Sequence, residues 1–180
     1  MDPTSLIITL RMDPGAAERF TRLRQAHFPA HRNWLAAHVT FFHALPLAAL
    51  DDVLRDVADV AGRTDAFRMD VDRVLFLGQG VAYGITSARA KSLRGELAAR
   101  WEALLGRQDR AWHGRLHVTV QNKVEPAVAR ELHARLQREL EMHDIGATGL
   151  QVWEYVGGPW RHVATFPFPD AAVDPRVGDA

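Results

Sequence analysis

The feature that most constrains the fold is a short pattern that occurs twice, His-Val-Thr-Phe at residues 38–41 and His-Val-Thr-Val at residues 117–120. Each copy lies in a run rich in Val, Thr and Phe, which predicts β-strands over residues 36–43 and 116–121. The two histidines are 79 residues apart, too far to share a helix or a hairpin. The two strands can therefore meet only if the two halves of the chain fold together.

Side chains on a strand alternate between its two faces. On each predicted strand the histidine, the threonine and the residue two positions further on therefore share one face. These residues are His38, Thr40 and Phe42 in the first copy, and His117, Thr119 and Gln121 in the second. The opposite face of the second strand is wholly apolar and is expected to face the core. Each polar face presents an imidazole and a hydroxyl about 7 Å apart along the strand.

Two copies of the His-x-Thr pattern are stronger evidence for a functional site than one copy would be. With nine histidines and nine threonines in 180 residues, chance alone gives roughly 0.45 His-x-Thr pairs. Two copies, each on a predicted strand and each with Val between the two residues, are much less expected. A purely structural role stays open as the alternative, because Thr favours strands and a strand histidine is often a satisfied structural residue.

Length and composition limit the classes of protein to consider. A chain of 180 residues forms one domain, or two small lobes with a shared core. The chain has 22 Lys and Arg residues and 22 Asp and Glu residues, so its formal net charge is zero. A net charge of zero argues against binding to long nucleic acid over a broad basic surface. The absence of cysteine leaves no disulfide, thiolate nucleophile or Cys-bound metal. No signal peptide or membrane span is evident, so we expect a soluble, cytoplasmic protein.

The remaining elements alternate between strands and helices. Asp13-Pro14 and Glu125-Pro126 mark two helix starts, and Ser87 can cap another helix. The predicted helices cover residues 14–27 and 47–61, a segment after Ser87 with an apolar stripe to Leu105, and a segment from 126 to 140. Further strands are predicted at 6–10, 67–77, 81–85, 150–156 and 161–166. Residues 1–169 are predicted to form a single bilobal domain, and residues 170–180 a loose tail.

Two His-x-Thr motifs, one in each half of a chain of this size, resemble those of the 2H phosphoesterase superfamily. This group includes the 2′,5′ RNA ligase-like proteins and cyclic nucleotide phosphodiesterases. The resemblance extends over roughly residues 5–167, since the order of strands and helices also fits. It implies an α+β, bilobal, pseudo-symmetric fold with two antiparallel-rich sheets flanked by helices around a central groove. The two motif strands would face each other across that groove.

The paired motifs suit phosphodiester chemistry, in which one oxygen loses a proton and another gains one. Imidazole titrates near neutral pH, so one of His38 and His117 can act as base and the other as acid. The hydroxyls of Thr40 and Thr119 can donate to phosphate oxygens and hold the phosphorus in line. No metal or cofactor is required, and a two-histidine zinc site, the competing chemistry, lacks a third ligand in the motif. The resemblance favours His117 as base and His38 as acid.

Residues beside the motifs are candidates for substrate binding. Phe42 and Gln121 share the polar faces and can reach a base or sugar, although a buried edge position stays open for Phe42. Lys123 is the nearest positive charge after the second motif. The RNA ligase branch often carries Arg in that region, so this difference argues against RNA ligase activity.

The sequence therefore predicts a metal-independent hydrolase that opens a 2′,3′-cyclic or related cyclic phosphate. Its partner would be a small nucleotide or an RNA 3′ end, without membrane or long-duplex nucleic acid binding, and we expect a monomer. Two alternatives stay open. One is a binding module that holds a nucleotide or RNA end without turnover, and the other is a 2′,5′ RNA ligase-like activity.

Two further histidines lie on predicted strands. Alternation places His43 on the face opposite His38, so we expect it in the core or at its rim. His162 begins a His-Val-Ala-Thr sequence, which misses the motif spacing by one residue. Alternation places His162 and Thr165 on opposite faces, so we expect a structural role for His162.

Overall fold

The computed structural model describes residues 4–169, and this part of the chain contains seven β-strands and five α-helices. The strands are β1 (Ser5–Met12), β2 (Val39–Pro46), β3 (Phe67–Phe76), β4 (Val81–Thr86), β5 (Leu116–Gln121), β6 (His143–Tyr155) and β7 (Trp160–Pro167). The helices are α1 (Pro14–His27), α2 (Leu50–Gly62), α3 (Ala88–Arg100), α4 (Arg107–Arg110) and α5 (Pro126–Glu139). The tail predicted at residues 170–180 lies outside the described residues.

The strands form one antiparallel sheet with two arms that share β6. Residues 143–147 of β6 pair with β3, whereas residues 147–155 pair with β1. The first arm has the order β2-β1-β6-β7, and the second arm has the order β6-β3-β4-β5. The arms meet again where β2 pairs with β5 at Val39 and Val118. The predicted α+β class with antiparallel strands and flanking helices is confirmed.

The helices pack on the faces of the sheet that carry apolar side chains. Phe20 of α1 lies against Tyr83 of β4, with 5.4 Å between ring centroids. Tyr83 pairs with Val118 of β5, so these two residues share a face. This places α1 on the side of the sheet opposite His117 and Thr119. α5 packs against β3 and β4, and α2 packs against β6 and β7. Within residues 4–169, none of the helices combines the length and apolar content needed to span a membrane.

Two of the predicted helix starts are confirmed by their caps. The Asp13 Oδ1 atom accepts a hydrogen bond from the Ala16 N–H at 2.9 Å, and Pro14 is the first residue of α1. The second carboxylate oxygen of Asp13 accepts from the Gly146 N–H at 2.6 Å, which also joins α1 to β6. Ser87 Oγ accepts from the Ala90 N–H at 3.2 Å at the start of α3. Caps of this kind contribute about 1 kcal/mol each.

Three differences between the predicted and the observed elements bear on the site. The first motif strand begins at Val39 rather than at residue 36 and continues to Pro46. β6 begins at His143, seven residues before the predicted start, because its first part pairs with β3. The connection at residues 106–114, predicted as polar, contains the short helix α4 and the buried carboxylate of Asp109.

Irregular pairing in β2 overturns the simple alternation of its side chains. Thr9 of β1 pairs with Thr40, but Ile8 pairs with Phe42, so Phe41 is an extra residue in β2. Such a β-bulge reverses the alternation of the side chains that follow it. Phe41 and Phe42 are consequently both fully buried.

β5 has a bulge at the matching position of its own motif. Ala82 of β4 pairs with Thr119 and Val81 pairs with Gln121, which makes Val120 the extra residue. Val120 and Gln121 are therefore both buried. In each motif the residue after threonine is bulged, and the next residue faces the core instead of the histidine's side of the sheet.

Candidate active site

The two motif strands lie side by side and antiparallel, joined at Val39 and Val118. In an antiparallel pair, the residues on either side of a bridging pair also oppose each other. The register therefore places His38 opposite Thr119 and Thr40 opposite His117. Opposed residues share a face, so all four polar side chains lie on one side of the sheet. The fold thus brings the two motifs together, with each histidine facing the threonine of the other motif.

Each motif histidine is oriented by a backbone carbonyl two residues before it. His38 Nδ1 hydrogen-bonds the carbonyl oxygen of Ala36 at 2.8 Å. A carbonyl can only accept, so the proton of neutral His38 lies on Nδ1 and its Nε2 is left with a free lone pair. The backbone carbonyl of Arg115, two residues before His117, acts to raise the pKa of that ring.

The surroundings favour neutral imidazoles at both positions. Burial, helped by the charges of Arg24, His117 and His43, lowers the pKa of His38 to about 4. Burial also lowers the pKa of His117, and the charge of His43 acts in the same direction. Both histidines are therefore neutral near pH 7 in the free protein. A bound phosphate anion would raise both pKa values, because it favours the protonated rings.

Arg24 of α1 lies buried behind the site and connects the two motifs. Its Nη1 donates to the carbonyl of Thr119 at 2.9 Å, and its Nε donates to the carbonyl of Leu35 at 3.2 Å and to Asn33 Oδ1 at 3.1 Å. Burial lowers the pKa of Arg24 to about 10. The guanidinium remains charged at neutral pH and places a fixed positive charge beneath the two motifs.

A cavity of about 460 Å³ opens beside His38. Trp34, Trp153 and Trp160 line it, and the Trp160 ring centroid lies 4.5 Å from that of His38. Arg11 supplies a positive charge, and the described residues around this cavity include no carboxylate. We call this cavity the tryptophan pocket. Its lining suits a flat, neutral or anionic ligand better than a cation.

A row of polar side chains runs from the first motif into the tryptophan pocket. Thr40 pairs with Thr9 of β1, which pairs with Gln151 of β6. Thr9 Oγ1 accepts a hydrogen bond from Trp153 Nε1 at 2.9 Å, and Gln151 Nε2 donates to Thr165 Oγ1 at 3.2 Å. The pocket wall is thus built on the same face of the first arm as Thr40.

The second arm has small side chains beside its motif. On β4, Gly84 pairs with His117 and Ala82 pairs with Thr119. Arg73 of β3 follows Gly84 in the same row, and its side chain lies over the glycine. A Cβ atom at position 84 would come within 2.5 Å of Arg73 Cγ. A residue without a side chain is therefore required there if the aliphatic part of Arg73 is to keep its position.

The predicted positions of Phe42 and Gln121 are wrong, and the bulges are the reason. Phe42 packs in the core against Trp101, with 5.0 Å between ring centroids. Gln121 is 4% exposed and lines a separate small cavity next to α1 and α5. Neither side chain reaches the motif face. Lys123 is exposed in the turn after β5, with a left-handed φ of 61°, and its role in substrate binding stays a prediction.

Simple alternation also misplaced two other histidines. The bulge at Phe41 returns His43 to the face of β2 that carries Thr40, rather than the opposite face. In β7 the pairing slips at Val163, and His162 Nε2 hydrogen-bonds Thr165 Oγ1 at 2.8 Å. The predicted opposite placement of these two residues is therefore wrong, and both belong to the rim beside the tryptophan pocket.

Sequence reasoning missed the three tryptophans and Arg24. Trp153 and Trp160 meet His38 only through the pairing of β6 with β1 and β7, which the sequence does not reveal. Arg24 lies on the face of α1 that packs against β5. Its position one turn after the buried Phe20 was the available signal for an inward-facing charge.

The site offers two imidazoles and two hydroxyls on one face of the sheet, with the guanidinium of Arg24 buried behind that face. Hydroxyl and guanidinium groups stabilise a tetrahedral oxyanion, and neutral or protonated imidazoles move protons. Within residues 4–169, no group of three or more His, Cys, Asp or Glu side chains is placed to hold a metal ion. The chemistry that these side chains can supply is proton transfer and the binding of an anion.

A duplicated His-Thr pair on two joined antiparallel arms is the arrangement expected from the resemblance to the 2H phosphoesterases. The family model of the 2′-5′ RNA ligase superfamily matches residues 12–159, and the chain belongs to this superfamily. The prediction of membership in the 2H phosphoesterase superfamily is confirmed. No curated protein sequence matches the chain significantly.

Solved structures share the fold at low sequence identity. LigT of E. coli, in a crystal structure with 3′-AMP, is 16% identical with a TM-score of 0.61, and the match covers 92% of this chain and 98% of LigT. The protein TT0787 of Thermus thermophilus is 12% identical with a TM-score of 0.61, covering 91% of this chain and 97% of that protein. A structure described as a phosphoesterase is 13% identical with a TM-score of 0.58, covering 93% and 99%. These likenesses extend over the whole fold.

Proposed function

We propose that the protein is a metal-independent phosphodiesterase that opens a 2′,3′-cyclic or related cyclic phosphate on a nucleotide or RNA end. The observation that carries this proposal is the cross-strand arrangement of the two motifs. Each histidine opposes the other motif's threonine, so a phosphate over Val39 and Val118 has an imidazole on both sides. In-line displacement at phosphorus needs a proton acceptor and a proton donor in this relation.

In the proposed reaction a water molecule attacks phosphorus and the bond from phosphorus to one ribose oxygen breaks. His117 takes the proton of the attacking water, and protonated His38 gives its proton to the departing ribose oxygen. The product is a phosphate monoester with a free hydroxyl beside it. Thr40 and Thr119 donate hydrogen bonds to the non-bridging oxygens, and the charge of Arg24 stabilises the anion from below.

The tryptophan pocket supports the assignment of His38 to the leaving oxygen. A nucleobase in this pocket would hold its ribose next to His38 and leave the His117 side of the site for water. Stacking on an aromatic side chain contributes about 1–3 kcal/mol per base. Gln151 can hydrogen-bond the edge of a base, and Arg11 can pair with a further phosphate. Crystal structures of LigT with 3′-AMP and with ATP give nucleotide binding a precedent in this fold.

The test is an assay of purified, EDTA-treated protein against the four nucleoside 2′,3′-cyclic phosphates, an ADP-ribose cyclic phosphate and an oligonucleotide ending in a 2′,3′-cyclic phosphate. We expect turnover of at least one of them to a monoester without added metal. The His133→Gln variant is the matched control, because His133 lies on α5 and hydrogen-bonds the carbonyl of Val74.

Three other results would contradict the proposal. Tight binding of a nucleotide without turnover would instead indicate a binding module. Joining of RNA ends without hydrolysis would indicate a ligase. Activity that is lost with chelator and returns with zinc would indicate a metal-activated water.

A further inference from the structure

A buried Arg94–Asp109 pair holds β2 in its irregular course. Arg94 Nε donates to the carbonyl of the bulged Phe41 at 2.7 Å. The Asp109 carboxylate accepts from the N–H groups of His43, at 3.0 and 3.1 Å, and of Ala44, at 3.2 Å. The strand pairing slips a second time at these two residues. A guanidinium and a carboxylate thus bind the backbone groups of the irregular stretch.

The side chains of this Arg94–Asp109 pair are almost completely buried. The side chains of Arg94 and Asp109 are 4% and 1% exposed, with 3.5 Å between Nη2 and Oδ1. The guanidinium lies between the rings of Phe42 and Trp112, at 4.4 and 4.0 Å from their centroids. Buried ion pairs cost desolvation and contribute little net stability. The main effect of this pair is therefore to fix the position of the irregular part of β2.

The buried pair also positions the ring of His43 through the carboxylate of Asp109. Its Nδ1 lies 3.0 Å from Asp109 Oδ1, and an ionised carboxylate can only accept, so Nδ1 carries a proton. Burial alone would raise the pKa of Asp109, but hydrogen bonds from the His43 ring and from the N–H groups of His43 and Ala44 outweigh this and lower it. The ring is 31% exposed, which leaves Nε2 accessible. The carboxylate fixes the orientation of the ring and directs Nε2 away from Asp109.

A phosphate between the two motifs would gain from a cation on the face that carries them. His38 and His117 are neutral near pH 7 in the free protein, and Arg24 is bound to carbonyls beneath them. The bulge at Phe41 places His43 on the same face as the motif residues, and the charge of His43 lowers the pKa of both motif histidines. The corresponding residue after the second bulge is Asn122, whose Oδ1 accepts from the Lys123 N–H at 2.8 Å within the turn.

We propose that His43 is a third histidine of the site and binds a phosphate oxygen through Nε2 as an imidazolium, with Asp109 holding Nδ1. This inference rests on the proposed function in that it assumes a phosphate between the two motifs. It assigns the binding of an anionic, phosphate-containing ligand to a residue outside both motifs. His43 moves no proton in this assignment; it binds and positions the anion.

The test uses inorganic phosphate, which requires no turnover. Nitrogen-15 NMR of the histidine side chains follows a phosphate titration of the full chain at pH 7. We expect the Nε2 signal of His43 to shift together with those of His38 and His117. His43→Gln should weaken phosphate binding by roughly 10–150-fold, the range for a hydrogen bond to a charged group. His43→Lys keeps a cation and should recover part of this loss, and His133→Gln should bind as the wild type does.

Asp109→Asn separates positioning from packing. The amide cannot stabilise the imidazolium, so we expect weaker phosphate binding with a raised KM and a smaller change in kcat. Circular dichroism and Tm identify variants that fail to fold, and His43→Gln keeps the backbone N–H groups that bind Asp109. An unshifted His43 signal, together with wild-type phosphate affinity in His43→Gln, would overturn the inference. If phosphate binds through His43 but no cyclic phosphate is hydrolysed, the proposed function fails and this inference stands.

Discussion

On the first arm, the row of residues that starts at Thr40 continues through Thr9 to Gln151, with tryptophan rings beside it. On the second arm, the row that starts at His117 continues through Gly84 to Arg73. The motifs themselves are alike, and both are followed by a bulge. Two equal motifs suit a tetrahedral phosphate, which looks the same from either side. The unequal neighbours are what can orient the rest of a substrate, because one side offers aromatic stacking surfaces and the other offers small residues covered by Arg73.

The largest effect is expected from the two histidines, and it should be equal for both arms. His38→Ala and His117→Ala should each lower kcat/KM by up to about 10⁴-fold, the range for general acid–base catalysis. The double variant should be little worse than the worse single variant, because groups that act as a unit are not additive. Steady-state kinetics on the best cyclic phosphate measures this. Near wild-type kcat/KM in either single variant would show that the two arms do not share one reaction.

The threonines should have a smaller and again similar effect. Thr40→Val and Thr119→Val each remove one hydroxyl donor to the phosphate, which should lower kcat/KM by roughly 10–150-fold. Valine suits a strand and preserves the shape, so the variants should fold. The pH profile should keep its form, because no titrating group is lost. A folded variant with unchanged kinetics would mean that the hydroxyl does not contact the phosphate.

The tryptophan pocket should distinguish the arms. Trp34 is 61% exposed, so Trp34→Ala should fold normally. Loss of stacking at about 1–3 kcal/mol should raise KM for nucleoside 2′,3′-cyclic phosphates by roughly 5–150-fold. A ribose cyclic phosphate without a base should be unaffected. Phe76→Ala, which removes an exposed aromatic ring from β3, is the matched control. Equal losses with and without a base would place the base elsewhere.

The pH dependence gives the smallest expected effect and tests the burial of both histidines. The reaction needs one ring protonated and the other neutral, so kcat/KM should be bell-shaped. Because the pKa of His38 is lowered to about 4 and that of His117 is also lowered, the bell should centre below pH 6.5. The kcat profile should centre at higher pH, since the bound anion raises both pKa values.

His43→Gln sharpens this measurement. The charge of His43 lowers both pKa values, so its removal should move the kcat/KM profile towards higher pH. A kcat/KM profile of the wild type centred at or above pH 6.5 would contradict the effect of burial on the two rings.

The motif residues were predictable from sequence because local rules suffice for them. Val39 and Val118 alternate with their polar neighbours, and Asp13 and Ser87 cap helices through atoms only three residues away. The function of those motifs in this chain stays a prediction.

The positions of Phe42 and Gln121 could not be predicted in the same way. A bulge depends on partners distant in sequence, such as Arg94 for Phe41, which lies 53 residues away. Strand alternation assumes a regular partner strand, and β2 and β5 both depart from it directly after the motif. The tryptophan pocket was missed because strand neighbours, unlike helix neighbours, are set by topology.

The strand β6 belongs to both arms, and this sharing has a mechanical consequence. Many clefts between lobes open and close by rotation about a flexible linker, but here a continuous run of backbone hydrogen bonds crosses from one arm to the other. Separating the arms would require breaking that ladder or the contact between β2 and β5. The spacing between the two motifs is therefore fixed by the hydrogen bonding of the sheet. In the proposed reaction, a substrate would therefore enter and leave without separation of the two arms.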